Sequence, residues 1–186
     1  MASPAFLLLG EALWLDLANT VPPPAARDLR PDVLTASGAV GEFLVAIGLP
    51  PLGTPNGAAA LLELRRELIH LGDALATGER APSSAITAIN SLLTSHPGRE
   101  QLVRVSGSWR LDFVAAHAPG ALEALARSAA ETLADPLAQV RRCIDPSCRR
   151  LLVDRSPGHS RTWCRERCRA VAGIERRRGS RTVPTV

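Results

Sequence analysis

Four cysteines are the side chains whose type and spacing most directly define a chemistry. Cys143, Cys148, Cys164 and Cys168 all fall in the last quarter of the chain, as C-x4-C-x15-C-x3-C. Zinc takes four soft or borderline ligands in a tetrahedron, and two close thiol pairs joined by a loop can supply them. Cys143-Ile-Asp-Pro-Ser-Cys148 can wrap a metal as a turn stiffened by Pro146. Cys164 and Cys168 stand four apart, so on a helix they share one face. The alternatives are four buried free thiols or two disulfides, and a reducing compartment disfavours disulfides. His159, in a Pro-Gly-His-Ser turn, could replace one cysteine as ligand. Four cysteines leave no coordination position open for water, and no H-E-x-x-H or deaminase signature occurs. Asp16, His70, His96 and His117 are scattered and suggest no nucleophile–base pair. One structural Zn2+ is therefore expected, and no enzyme.

Arginines surround the cysteines. Residues 1–140 carry nine arginines against fourteen acids, a net of −5, and residues 141–186 carry thirteen against four, a net of +9. Every basic residue is Arg. A basic segment on an acidic body points to a polyanion partner. If residues 164–178 form a helix, Cys164, Cys168 and Val171 face metal and core, and Arg165, Arg169 and Arg176 form a second stripe. Arg161 and the run Arg176, Arg177 and Arg178 stand ready to assist in nucleic-acid contact. A solvated basic face is the competing explanation. Aromatics are 3% of the chain, with no Tyr, so a base-stacking platform for single strands is not expected. No run approaches the roughly 20 apolar residues of a membrane helix, and the N-terminus lacks the basic start of a signal peptide. The expected location is cytoplasmic.

The elements that must position these groups can be read from hydrophobic spacing. Leu61, Leu64, Leu68, Leu71 and Leu75 recur at threes and fours, predicting a helix over 58–76 ended by Gly78. Shorter helices are expected over 38–47, capped by Thr35 or Ser37 and ended by Gly48, and over 83–94. Apolar alternation around Ser106-Gly107-Ser108 predicts a hairpin of 101–105 with 109–114. A helix is expected over about 119–140, kinked or split at Pro136 and running straight into the cysteine segment. Phe6–Leu9 and Ala12–Leu17 around Gly10-Glu11 read as a second small hairpin, and Pro22-Pro23-Pro24 breaks any regular element. The fold class is mainly α (α+β): a helical domain over 1–140 with one or two small hairpins, then a four-Cys zinc module with a C-terminal helix over 141–186.

Cys143-x4-Cys148, Leu151-Leu152-Val153-Asp154-Arg155-Ser156 and Arg161-Thr162-Trp163-Cys164 together resemble the CGNR zinc-finger family of bacterial proteins. Leu13-Trp14-Leu15-Asp16-Leu17-Ala18-Asn19-Thr20-Val21, with Asp32-Val33-Leu34 and Gly48-Leu49, is similar to the ABATE domain that usually precedes that finger. The resemblance implies a stress-induced transcription regulator that binds DNA. The family carries Cys-Gly-Asn-Arg at the fourth ligand, after four intervening residues. Here Arg169-Ala170-Val171 follows Cys168, after three, so the thiols remain and any contact made by Gly-Asn-Arg is lost. Asp16, Asn19 and Thr20 are candidates for a ligand pocket, or for ordinary turn and cap roles.

The leading expectation is a transcription regulator whose body senses or dimerises and whose zinc module binds DNA. Its expected partners are DNA, a small-molecule effector and a second copy in a homodimer, with no membrane. The alternative is a zinc-stabilised protein-interaction or RNA-binding module without an operator.

Overall fold

The computed structural model describes residues 6, 8–9, 11–21, 32–95, 98–115, 120–166 and 168–170. The order of elements is α1 (Leu13–Ala18), α2 (Ala39–Ala46), α3 (Gly57–Ala76), α4 (Ser83–Thr94), β1 (Gly98–Val105), β2 (Ser108–Ala115), α5 (Ala121–Ala134), β3 (Gln139–Arg142) and β4 (Leu151–Asp154). The fold is α+β: helices dominate, and the strands form two separate antiparallel pairs, β1–β2 and β3–β4.

The helix α3 is the spine. Its stripe Leu61, Leu64, Leu68 and Leu71 is buried. The α1, α4 and β3 elements all pack against it, and α5 closes over α1 and α4. Gly78 takes φ +76, and Gly78 N–H and Glu79 N–H donate to Leu75 and Ala74 carbonyls, the paired bonds of a glycine-terminated helix. Gly48, at φ +73, ends α2 in the same way. The start of α2 differs from expectation. Gly38 in the left-handed region precedes it, and neither Thr35 nor Ser37 caps it by a side chain.

Two expected elements are corrected. The segment expected as the second strand of an N-terminal hairpin is the helix α1. Trp14, Leu15, Asp16, Leu17 and Ala18 are all buried, and a helix surrounded on every side shows no one-sided stripe. Trp14 anchors it, with its indole N–H donating to Thr132 Oγ1 on α5 at 3.0 Å. The second correction concerns α5, which ends at Ala134 and does not run to 140. Asp135 is extended (ψ 110), as expected of a residue before Pro136. The chain then turns and enters β3, so a strand and not a helix leads into the cysteines. The central hairpin is longer than its apolar alternation suggested. It closes on a two-residue turn, Ser106 and Gly107, both at positive φ. Pro22 to Pro24 lie outside the described residues.

The second strand pair joins the cysteine segment to the helices. β3 pairs β4 with Val140 opposite Val153 and Arg142 opposite Leu151. Val140, Leu151 and Val153 belong to the main leucine core, whereas Leu152 packs with Cys143, Cys148 and Cys164. All four residues of β4 are therefore buried, each face against a different partner. Gly72 of α3 makes room for the contact: a Cβ there would stand 2.4 Å from Leu151 Cδ1. The edge of β4 away from β3 is met by side chains. Asn19 accepts from Leu151 N–H and donates to Leu151 C=O, both at 2.9 Å, as a neighbouring strand would. Glu11 accepts from Val153 N–H at 2.9 Å.

Replacing Asn19 with Ala leaves a buried N–H and a buried C=O of Leu151 without partners. The expected loss of stability is about 2–4 kcal/mol, read by chemical denaturation. Asn19→Asp, which keeps the acceptor for Leu151 N–H, loses less. Equal stability of Asn19→Ala and the parent would refute the docking role.

Candidate metal centre and basic groove

The strand pair β3–β4 holds the first two cysteines in its connecting loop. Cys143 N–H donates to Arg150 C=O at 2.7 Å, so the loop leaves and re-enters the ladder as a closed knuckle. Inside it, Asp145 accepts from both the amide and the hydroxyl of Ser147, and its carbonyl accepts from Cys148 and Arg149 N–H. These bonds, the Ser147 hydroxyl first, hold the Asp145 carboxyl below its ordinary value. The last two cysteines come from the far side. Ile144 N–H donates to Thr162 C=O, which draws residues 162–164 over the knuckle. A helical turn then begins at Glu166, with Cys168 N–H donating to Arg165 C=O.

The four sulfurs lie within 4.8 Å of one another, Cys148–Cys164 at 3.4 Å and Cys164–Cys168 at 3.6 Å. Sulfurs bound tetrahedrally to zinc at ~2.3 Å stand about 3.8 Å apart. Cys143, Cys148 and Cys164 are buried and Cys168 is half-buried. Four thiols this close cannot all ionise by themselves. The hydrogen bond from Cys164 draws Cys148 down to about 4, that same bond holds Cys164 far up, and burial pushes Cys168 up to about 12. A divalent soft cation removes that conflict by replacing the protons. The donor set suits one structural zinc ion, with no position left for a reacting water. His159 lies in the turn after Asp154 at φ 49 and is not part of the cluster.

Asp154 organises the loop between the two cysteine pairs, a role the sequence did not signal. It is completely buried at the end of β4. One carboxylate oxygen accepts from Ser156 N–H and Oγ–H, and the other from Arg161 N–H at 2.9 Å. Burial alone would raise its pKa, but the Ser156 bonds, Arg161 N–H and the Arg141 charge outweigh it and leave the carboxyl below 3.8. Asp-Pro-Ser in the knuckle and Asp-Arg-Ser here form the same turn twice, Asp accepting from the Ser two residues on.

The arginines fall into distinct roles. Arg161 pairs with Glu11 and donates to Trp163 C=O at 3.2 Å and Cys164 C=O at 3.1 Å, tying the N-terminal segment to the metal site. Arg165 is exposed and donates to Leu8 C=O at 2.6 Å. Arg169, one turn on, is 68% exposed, with Glu166 3.7 Å away. These three line one groove of about 470 Å³ together with Ser160, Thr162, Trp163, Cys164 and Glu166. Arg176, Arg177 and Arg178 lie outside the described residues. Arg150, not singled out from sequence, donates to Cys148 Sγ at 3.6 Å. Its position two residues after a ligand was the available signal.

The three pocket candidates have different partners among the described residues. Asn19 is bonded to Leu151, and Thr20 accepts from Arg65 at 3.1 Å while donating to Leu17 C=O. Arg65 also grips Asp32 through two bonds, at 2.8 and 2.5 Å. Burial works against the Asp32 charge, yet the Arg65 bonds prevail and its pKa is lowered. Asp16 accepts from Leu9 N–H at 2.6 Å and lines an open cleft of about 410 Å³ with Glu11, Arg127 and Glu131.

Four outcomes follow for the metal centre and the loop that Asp154 holds. Elemental analysis should return close to one zinc per chain. Chelation should open the knuckle 143–150 and residues 155–170 to protease while most helical signal persists, because β4 stays anchored in the leucine core; complete unfolding would show that the body needs the metal. Asp154→Asn places an amide donor against Arg161 N–H or the Ser156 donors, and should speed zinc loss to chelator about tenfold. Because the Asp154 and Asp32 pKa values are depressed, their stabilisation is full above 3.8 and disappears as pH falls through the folded values. Acid unfolding of Asp154→Asn should accordingly be shallower than that of the parent.

Comparison with known families agrees with this geometry. Residues 139–179 match the model of the CGNR zinc finger, and residues 11–136 match ABATE, described as "Putative stress-induced transcription regulator". No curated protein matches the chain. With a leucine core that buries the ABATE motif and a knuckle that gathers the four thiols, this chain belongs to the ABATE family and carries a CGNR zinc finger at its C-terminal end.

Proposed function

We propose that the protein is a DNA-binding transcription regulator acting in the bacterial cytoplasm, with the zinc centre as a rigid mount for arginines. The observation that carries this reading is the groove beside the metal, where Arg161, Arg165 and Arg169 converge. Cys164 and Cys168 fix the helical turn, and Arg165 and Arg169 stand one turn apart on its exposed side. Arginine forks to phosphate or to guanine edges, and a mount that is already rigid reduces the ordering cost of binding. Arg161 acts mainly as a brace, since Glu11 and two carbonyls already hold its guanidinium. The net of +9 over residues 141–186 supports a polyanion as partner. An effector read by the body would reach this groove through Glu11, which lines the cleft at Asp16 and also pairs with Arg161.

The absence of Gly-Asn-Arg after Cys168 favours a second reading, a protein- or RNA-binding module. Selection of bound fragments from genomic DNA, with zinc present, separates the two. Exchanging Arg165, Arg169 and Arg176 for Ala should lower the slope of log affinity against log salt by about one for each lost phosphate contact, with zinc content unchanged. An unchanged slope would reduce the stripe to a solvated face. No binding by the parent at low salt would give first place to the second reading.

A further inference from the structure

Arg165 is exposed on the turn that carries Cys164 and Cys168, yet its guanidinium is engaged: it donates to Leu8 C=O at 2.6 Å, 157 positions away in sequence. The segment that accepts this bond is anchored on the helical body. Phe6 stands edge-on to Phe43 of α2, ring centroids 5.4 Å apart, and Leu9 N–H donates to the buried Asp16 of α1 at 2.6 Å. Leu8 and Leu9 then serve different partners. Leu8 packs on the leucine core, and Leu9 packs against the cluster of Cys143, Cys148, Leu152 and Cys164. We propose that Leu9 is a cover over the metal centre, and that Arg165 is the catch that keeps the turn of Cys164 and Cys168 closed beneath it. Cover and catch together gate the access of small solutes, chelators and soft electrophiles, to the thiolates.

Three observations carry this assignment. The first is the place of the catch. Arg165 directly follows Cys164, and its carbonyl accepts from Cys168 N–H at 3.1 Å, so a bond at Arg165 holds the backbone between two ligands. The second is the origin of the cover. Besides the cysteines, Leu152, Leu9 and Trp163 make up the apolar surround of the cluster among the described residues. Leu152 and Trp163 belong to the cysteine-bearing part of the chain, and Trp163 adjoins Cys164, so it moves with the turn. Leu9 is the contribution from the body, and only separation of turn and body uncovers the site on that side. The third is the asymmetry of burial. Cys143, Cys148 and Cys164 are buried, and Cys168, on the turn that Arg165 holds, is half-buried. The thiolate is the reactive form of cysteine, so its reaction with a solute depends on access. A turn closed by one charge-assisted hydrogen bond and one leucine lies at the low end of local stability, where opening precedes reaction. The assignment concerns the closed metal site and is independent of DNA binding.

The test uses the full, zinc-loaded chain without nucleic acid and reads two rates: zinc loss to excess EDTA, and alkylation by iodoacetamide, a neutral reagent from which a thiolate displaces iodide. Arg165→Ala should raise both rates about tenfold, the effect of one charge-assisted hydrogen bond on local opening. Leu9→Ala, which removes the cover, should raise them by a similar factor. The double variant should be no faster than Leu9→Ala, because a catch without a cover has nothing to hold. Hydrogen exchange at Leu151 N–H should be equally slow in all four proteins, which places the opening at the turn and leaves the joint between β4 and the body closed. Rates unchanged by either single substitution overturn the proposal. Independent effects, near a hundredfold in the double variant, overturn it as well, since they mean that Arg165 acts on the thiolates by charge alone and Leu9 by packing alone. Fast exchange at Leu151 in the single variants would make the effect a general loss of structure and equally overturn it.

Discussion

The strand β4 is the element on which the rest of the arrangement depends, because every side of it is in use. One face, Leu151 and Val153, closes the leucine core, and the other, Leu152 and Asp154, closes the metal site. One edge pairs with β3 and the other is met by Asn19 and Glu11. A four-residue strand cannot shift register under these conditions. A slip by one residue would exchange its faces, placing the Asp154 carboxylate in the leucine core. The position of the knuckle cysteines relative to the helices follows from that constraint.

Polar groups from the two ends of the sequence complete the joint. Glu11 serves an amide of β4 and the guanidinium of Arg161, and Arg161 in turn bonds the backbone at Cys164. Asp154 receives the backbone of the same arginine. A buried carboxylate is costly unless donors surround it, and here the donors are the loop itself, so ionisation and loop closure support each other. Arg65 plays the corresponding part in the helical body, joining Asp32 to Thr20. The metal site thus has a rigid surround on the body side, while the side bearing Arg165 and Arg169 faces solvent.

Zinc and core divide the work by scale. The helices bury a continuous set of leucines and one tryptophan. Among the described residues beyond Asp154 few apolar side chains are buried, and a module of that size gains most of its folding energy from the metal. The same contrast accounts for the order of residues 143–166: four thiolate bonds to zinc would fix a backbone whose mutually repelling charges oppose compaction.

The sequence by itself determined the metal centre, since four cysteines in two close pairs admit few other chemistries. It also determined the helices with one solvent-facing side: α3 and α4 show the three–four spacing because water lies on one side of them. Where both sides are buried the pattern vanishes. α1 alternates like a strand and is a helix, and β4 reads as a plain apolar run. The residues that join the two parts, Glu11, Asn19 and Asp154, carry no local signal at all. Asn19 stands 132 positions from the strand edge that it completes. The tertiary structure alone decided that Asn19 completes the open edge of β4 and that Glu11 and two carbonyls hold the Arg161 guanidinium. Hydrogen-bond partners so far apart in sequence become defined only once packing has placed the backbones side by side.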